Sequence, residues 1–500
     1  MKLSTRLALG LRVLFAAPEM AAALGSGDAA NMFTAFNNAF LSTGSSTFYK
    51  TSLQNQSPDG YWVGALDNQA AEDAYDVTGD PAYKTLVNNL CETWIANNEP
   101  PWDYINYNDD VGWDTLALIR GYRITGNTDF LNIAEYGFNF AYNRGWDTQS
   151  NGGGIWECQP SACGSSEKDA LSNDSLGKVA CILYQSTHNT TYLNYCRGIY
   201  DWVWNHIYDP STGAMNFGVY SSGQVDTALN AYNQGTWLDY AGLVYEITGD
   251  QNVKNDAQKV LDFAKNSLTT NGIFSNHDPS LNTWADDMAR GVARFLSDNR
   301  LWGNYYSWVV ANANGILANR RADIGLTWNA WDQPTPEDSG GIPSIYLSAV
   351  AWLWWTPVTL PDQRVGIHTI TNQKTGLAID SAGTFGNGAQ VVQWAQNNGQ
   401  NQRWQLTQNS DTSWNIINLS TWESLDCPGG STANNITLIQ WQPSRDDNQR
   451  WWVDIQSDGS YKIWNKQSGK ALDGASSTQN GAPLIQWDWN GGSQQRWILQ

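Results

Sequence analysis

The last part of the chain repeats itself three times, and this limits its fold more than any other feature. The copies read LAIDSAGTFGNGAQVVQWAQNNGQNQRW, SLDCPGGSTANNITLIQWQPSRDDNQRW and ALDGASSTQNGAPLIQWDWNGGSQQRW. Gln402 and Gln449 are 47 residues apart, and Gln449 and Gln495 are 46 apart. Asp380, Asp426 and Asp473 open the units, and Trp394, Trp441 and Trp487 stand seven residues before Asn401, Asn448 and Gln494. Each copy closes on a Q-x-W: Gln402–Trp404, Gln449–Trp451 and Gln495–Trp497. Short strands and Gly/Asn turns make up the copies. The expected class of 364–500 is all-β.

A second repeat occupies the preceding 330 or so residues. Turns VTGDPAY (77–83), ITGNTDF (124–130), STHNTTY (186–192) and ITGDQNV (247–253) each follow a helical run ending in an aromatic: Tyr75, Tyr122, Tyr184 and Tyr245. Gly after the first helix supplies a left-handed cap, and Asp, Asn or Thr caps the next. Further helical runs are predicted near 33–50, 283–300, 304–320 and 342–356. About six hairpins result. Closed into a ring, they make an all-α (α/α)6 barrel; an open solenoid is the alternative. Pro357 and Pro361 bracket a stiff linker. The predicted organisation is therefore multidomain: a leader over 1–27, the barrel over 28–356, a linker over 357–363 and the repeat domain over 364–500.

Composition narrows the partners. The net charge is −20, while only 15% of residues are charged. Trp numbers 28 and Tyr 22. Phosphate backbones and anionic membranes need clustered Lys and Arg, so neither nucleic acid nor membrane is an expected partner. Aromatic faces with Asn, Gln and Asp suit neutral sugars. No window is long and apolar enough for a membrane span. The start, MKLSTRLALGLRVLFAAPEM, has the charge and apolar run of an imperfect signal peptide, so secretion is expected. The end, QQRWILQ, lacks the tail of a lipid-anchor signal. Six cysteines and four histidines give no zinc spacing, so neither metal nor other cofactor is expected. Cys158 and Cys163 are candidates for a disulfide, with free buried thiols as the alternative. Asn173, Asn189, Asn418 and Asn435 begin glycosylation sequons. The chain is expected to be a monomer.

The catalytic candidates lie in YINYNDDVGWDTLALIRGY (104–122). Asp109 and Asp110 stand where a helix begins. One acid there is an ordinary cap; two, among Tyr107, Asn108 and Trp113, suggest more. The segment resembles the paired-aspartate motif of glycoside hydrolase family 76, the α-1,6-mannanases. GGGIWE (152–157), KDALSND (168–174), AYNQGTW (231–237), ADDMARGVARFL (285–296) and AVAWLW (349–354) follow in that family's order. The resemblance covers about 30–356. It implies an (α/α)6 barrel and retaining endo-hydrolysis of α-1,6-linked mannose, with Asp109 as nucleophile and Asp110 as acid/base. Retention needs carboxyls about 5–5.5 Å apart, which the irregular first turn of a helix allows. Trp113, Trp156, Gln234, Trp237, Asp286 and Asp287 are further candidates for substrate contact, with core packing or helix capping as the alternative.

The triple repeat resembles the ricin-type β-trefoil lectin, carbohydrate-binding module family 13. That resemblance implies a shallow sugar site in each unit: Asp380, Trp394 and Asn401; Asp426, Trp441 and Asn448; Asp473, Trp487 and Gln494. The Q-x-W tryptophans are expected in the core. Together these readings predict a secreted mannan hydrolase anchored to mannan or another neutral polysaccharide by a lectin. The alternatives are a mannan transglycosidase on the same fold, an inactive sugar-binding protein, or another (α/α)6 enzyme such as a uronyl hydrolase.

Overall fold

A computed structural model describes residues 23–159, 163–275, 285–337 and 341–500. The greater part of the expected leader lies outside them. Twelve long helices are found among the described residues before 356: α1 (Asp28–Phe40), α2 (Tyr61–Thr78), α3 (Pro81–Asn97), α4 (Asn108–Thr125), α5 (Thr128–Gly145), α6 (Ala170–Thr187), α7 (Thr190–His206), α8 (Ala231–Thr248), α9 (Gln251–Ser267), α10 (Ala285–Asp298), α11 (Trp302–Ala318) and α12 (Ser344–Trp355). Helices α2, α4, α6, α8, α10 and α12 pack in sequence, and α12 returns to α2. This closes an inner ring and excludes the open solenoid. Helices α3, α5, α7, α9, α11 and α1 lie outside it.

The turn chemistry sets the inner–outer alternation. Gly79, Gly126 and Gly249 end inner helices at φ +68°, +79° and +70°, and their N–H groups bond to the carbonyls of Tyr75, Tyr122 and Tyr245. His188 takes this place at φ +55° after α6. Asp80, Asn127, Asn189 and Asp250 then cap the outer helices through their side-chain oxygens. The helix predicted over 33–50 is shorter: it stops at Phe40, and Leu41–Ser42 pairs with Phe48–Tyr49 as a small hairpin.

The apolar core lies mostly between the two rings. The inner helices also bury charge. Arg290 binds Asp73 at 2.9 Å, Asp286 at 2.8 Å and Asp287 at 3.0 Å. Lys178 joins Asp287 to Asp239 at 2.8 and 3.1 Å. Arg294 joins Asp239 to Glu246 at 2.8 and 2.7 Å. Arg120 closes on Asp73 at 2.8 Å. The network ties five of the six inner helices together.

In the trefoil, Gly366–Asn372, Arg403–Gln408, Trp414–Asn418, Arg450–Ile455, Tyr461–Asn465 and Arg496–Leu499 pair antiparallel in a closed six-stranded barrel. Three hairpins, one per unit, cap it. Trp404, Trp451 and Trp497 are fully buried, as their Q-x-W positions imply. Their indole N–H groups donate to the carbonyls of Ile379, Leu425 and Leu472 at 3.0, 2.9 and 3.1 Å.

The trefoil is seated on the C-terminal ends of the inner helices. Arg445 donates to the Asp76 carbonyl at 2.9 Å and lies over Tyr75. Arg403 donates to the Tyr245 hydroxyl at 2.9 Å, and Gln405 to Asp298 at 2.6 Å. Gln400 bonds to the Glu246 carbonyl. Phe385 stacks on His188 with ring centroids 4.2 Å apart. Ile367, Leu419 and Trp422 join the barrel's apolar core. Trp422 stands at φ +58°, where the other two units have Gly376 and Gly469 at +71° and +70°. A bulky residue in that region is strained, and its indole is spent on the barrel contact.

The helix-ending glycines have a second purpose here. A Cβ on Gly79 would lie 2.3 Å from Arg445, and one on Gly249 would lie 2.6 Å from Arg403, whereas one on Gly126 would meet nothing within 4 Å. Alanine in this backbone region costs about 1–2 kcal/mol at each site. Gly79→Ala and Gly249→Ala are therefore expected to destabilise the protein more than Gly126→Ala in denaturant melts. Equal losses at the three sites would contradict the seating.

Candidate active site

The loop before α4 is locked by one arginine. Arg144 donates to the Asn108 side chain at 2.6 Å and to the carbonyls of Ile105 and Tyr107 at 2.8 and 3.1 Å. The Asn108 amide donates to the Trp156 carbonyl at 2.7 Å, and its backbone N–H to the Glu157 carbonyl at 2.8 Å. Asp109 and Asp110 thereby occupy the first turn of an inner helix, at the end of the barrel opposite the trefoil. Segment 155–158 runs alongside.

Electrostatically the pair is isolated from the cations below. Asp110 is buried, and burial pushes its carboxyl up to about 7 while Arg144 pulls the other way. Burial drives Asp109 well above the usual range; the charges of Asp110 and Glu157 add to this, and the helix-start N–H groups of Asp110 and Asp109 oppose it. Its Oδ1 is buried with no hydrogen-bond partner among the described residues. Both carboxyls of the free site are thus shifted towards their protonated forms.

More acids surround the pair than the sequence reading singled out. Asp114, one turn along α4, is fully buried, and neither oxygen has a hydrogen-bond partner among the described residues. Burial, then Asp110 and Asp109, push it well above the usual range. Asp169 caps α6 by accepting from the Ser172 N–H at 3.3 Å, and it is raised by burial and by Asp109. Asp169 lay inside the KDALSND motif, and Asp114 stood four residues after Asp110, the spacing that shares a helix face.

The other candidates fall elsewhere. Trp156 is half-buried beside the loop, with the Lys168 ammonium 4.7 Å over its ring. Trp113 is buried in the core. Gln234 is a correction: it is fully buried, accepting from the Met215 N–H and donating to the Met215 carbonyl, both at 2.7 Å. Trp237 is another: it is sandwiched between Tyr200 and Tyr208 at centroid distances of 5.7 and 5.5 Å, with no face open. Asp286 and Asp287 are buried and committed to Arg290 and Lys178, so they serve the interior network rather than an open surface.

In the trefoil, Asp380 and Asp426 accept from Asn401 and Asn448 at 2.8 and 2.9 Å, and from Gln402 and Gln449 at 2.8 Å each. Gln494 and Gln495 take the same places beside Asp473. Trp394, Trp441 and Trp487 are exposed on the three hairpins, in contrast to the buried Q-x-W rings. Cys158–Cys163 is bonded, and so is Cys181–Cys196, a pair that the sequence reading did not single out. Of the sequons, Asn173 and Asn418 are fully buried, whereas Asn189 and Asn435 are exposed.

The raised carboxyl of Asp110 has a measurable consequence. A carboxyl raised to about 7 in the folded state binds its proton more tightly there than in the unfolded chain, so its contribution to stability is full below pH ~4 and is lost as pH rises towards ~7. Asp110→Asn removes that loss. Its melting temperature relative to the parent is expected to climb between pH ~4 and ~8. A constant difference would mean that Asp110 titrates normally.

Comparison with known proteins follows the same division. The model for glycosyl hydrolase family 76 matches residues 27–319, and that for the ricin-type beta-trefoil lectin domain-like family matches 352–441, 409–487 and 447–500. A putative mannan endo-1,6-alpha-mannosidase of Schizosaccharomyces pombe is 26% identical over 216 residues, covering 39% of this chain and 47% of the relative. The mannan endo-1,6-alpha-mannosidase DFG5 of Saccharomyces cerevisiae is 29% identical over 207 residues, covering 37% and 44%. The chain thus spans less than half the length of these relatives. Among solved structures, an alpha-1,6-mannanase of Salegentibacter sp. HEL1_6, inactivated at two adjacent aspartates and complexed with alpha-1,6-mannotetrose, superposes with TM-score 0.59 at 22% identity, covering 66% of this chain and 97% of that one. With most of its barrel matched by the family model and a trefoil behind it, this chain belongs to glycosyl hydrolase family 76.

Proposed function

We propose that the protein is a secreted, endo-acting hydrolase of α-1,6-mannosidic linkages, anchored to polysaccharide by its trefoil. One observation carries the reading. Two adjacent aspartates open an inner helix at the free end of the barrel, and one titrates near neutrality at about 7. The Salegentibacter mannanase, inactivated at two adjacent aspartates, supports the same pair. The disulfides Cys158–Cys163 and Cys181–Cys196 fit an oxidising, extracellular setting.

Asp109 is assigned as nucleophile and Asp110 as acid/base. Asp110, protonated below its pKa of about 7, gives its proton to the leaving oxygen as Asp109 attacks the anomeric carbon. The glycosyl ester is then opened by water, from which Asp110 takes a proton, and the anomeric configuration is retained. Burial in the free site favours the protonated form of Asp109. Positive charge developing at the anomeric carbon favours the ionised carboxyl facing it.

Unbranched α-1,6-mannan is expected to yield shorter reducing oligomannosides, released first as the α-anomer. Longer products would favour a transglycosidase instead. Asp109→Asn and Asp110→Asn should each lower kcat at least ~10³-fold with melting curves that remain cooperative. Activity retained in either would overturn the assignment. Turnover should fall as pH rises above ~7, where Asp110 loses its proton.

Deleting the trefoil would unseat the contacts on α2, α8 and α10, so anchoring is better tested by point changes. Trp394→Ala, Trp441→Ala and Trp487→Ala together should abolish retention on insoluble mannan and leave cleavage of soluble oligomannosides within about twofold of the parent. Undiminished retention would contradict the lectin role.

A further inference from the structure

Three tyrosines gather beside Asp110, and the proposed chemistry uses none of them. Tyr104 and Tyr107 lie in the loop leading into α4, and Tyr61 begins α2. The Tyr61 and Tyr104 rings meet edge-on, with centroids 6.3 Å apart and planes at 75°. Tyr104 is 50% exposed and Tyr107 41% exposed, and neither ring belongs to the barrel's apolar core. Tyr61, by contrast, packs partly against that core and braces the group. The Tyr61 hydroxyl lies within electrostatic reach of Asp110, Asp114 and Tyr107, and that of Tyr104 within reach of Asp114 and Tyr61. The three rings and the acids therefore share one end of the barrel.

Large exposed aromatics on a rigid rim need a purpose, because ring surface left in water forgoes its burial energy. The Tyr107 backbone is clamped by Arg144, and Tyr61 is fixed at a helix start, so little conformational freedom is lost when a flat ligand settles on them. A hexose presents such a surface on its C–H face, and the surrounding carboxyls accept from its hydroxyls. Opposite them, Tyr232 lies within electrostatic reach of Asp109, Asp169 and Glu157. A sugar chain crossing the acid pair would thus meet aromatic rings on the Asp110 side and mostly acids on the Asp109 side.

We propose that Tyr61, Tyr104 and Tyr107 form a stacking subsite for a mannose ring next to the paired aspartates. The proposal rests on the mannan reading above and adds to it the residues that grip the sugar. The test uses the full chain carrying Asp109→Asn and Asp110→Asn, so that binding is read without turnover. Calorimetric titration with α-1,6-mannotetraose compares this parent with the same protein carrying Tyr104→Ala, Tyr107→Ala or both. The double alanine variant is expected to bind about tenfold more weakly. Phenylalanine at both positions should restore binding to within about twofold, because the ring face and not the hydroxyl makes the contact. Trp204→Ala, an exposed aromatic on outer helix α7, should leave binding unchanged. Alanine variants that bind like the parent, or phenylalanine variants that lose as much as alanine, would overturn the subsite while leaving the mannan reading intact. A parent that binds no α-1,6-mannoside at all would overturn both.

Discussion

The structure depends on where its few buried cations go. Arg120, Lys178, Arg290 and Arg294 are drawn into one network with Asp73, Asp239, Asp286, Asp287 and Glu246, inside the ring of inner helices. A buried ion pair is weak evidence of stability, but breaking one by removing a single partner costs about 3–5 kcal/mol. The network therefore holds neighbouring inner helices in fixed register. It also leaves the acids at the free end with little to neutralise them. Arg144 is spent largely on Asn108 and backbone carbonyls, and Lys168 on the carbonyls of Asp147, Ser150 and Gly153. Asp109, Asp110, Asp114, Asp169 and Asp174 are all shifted upward, with burial as the leading cause. Carboxyls raised above their ordinary range follow from burial with few cations at this end.

The same arrangement separates the acid pair from the trefoil. The acid pair opens at the N-terminal ends of the inner helices, and the trefoil sits on their C-terminal ends. An inner helix of 18 residues is about 27 Å long. The acid pair and the trefoil are therefore separated by about the height of the barrel. The seat itself is specific: Arg445 and Arg403 occupy the spaces that Gly79 and Gly249 leave, and Trp422 accepts a left-handed backbone to reach the barrel core. The linker alone would have allowed two loosely tethered bodies, whereas these contacts make the trefoil part of the barrel's closed end.

Local spacing made much of this legible. The three Q-x-W motifs placed Trp404, Trp451 and Trp497 in a core, and the same repeats placed Trp394, Trp441 and Trp487 outside it. The Gly-Asp and Gly-Asn turns gave the hairpins, because cap chemistry is a matter of adjacent residues. What depended on the closed ring was not legible. Gln234 and Trp237 lie on an inner helix, where spacing does not tell a residue facing the cleft from one facing the outer ring or a neighbouring strand. Met215 and the Tyr200–Tyr208 sandwich are brought to them only by folding. Asp286 and Asp287 looked like a second acid pair, yet Lys178, over a hundred residues earlier, neutralises one of them. Asp114 was set aside because its importance comes from having no hydrogen-bond partner among the described residues, which only packing reveals.

The central claim is that the Asp109–Asp110 pair keeps a proton where ordinary aspartates have lost theirs. Carbon-13 titration of the aspartate carboxyls, assigned with the single asparagine variants, measures this directly. The account predicts a midpoint for Asp110 near 7 and one for Asp109 raised above the ordinary carboxylate range. Two carboxyls that both ionise near the ordinary 3.8 would contradict it.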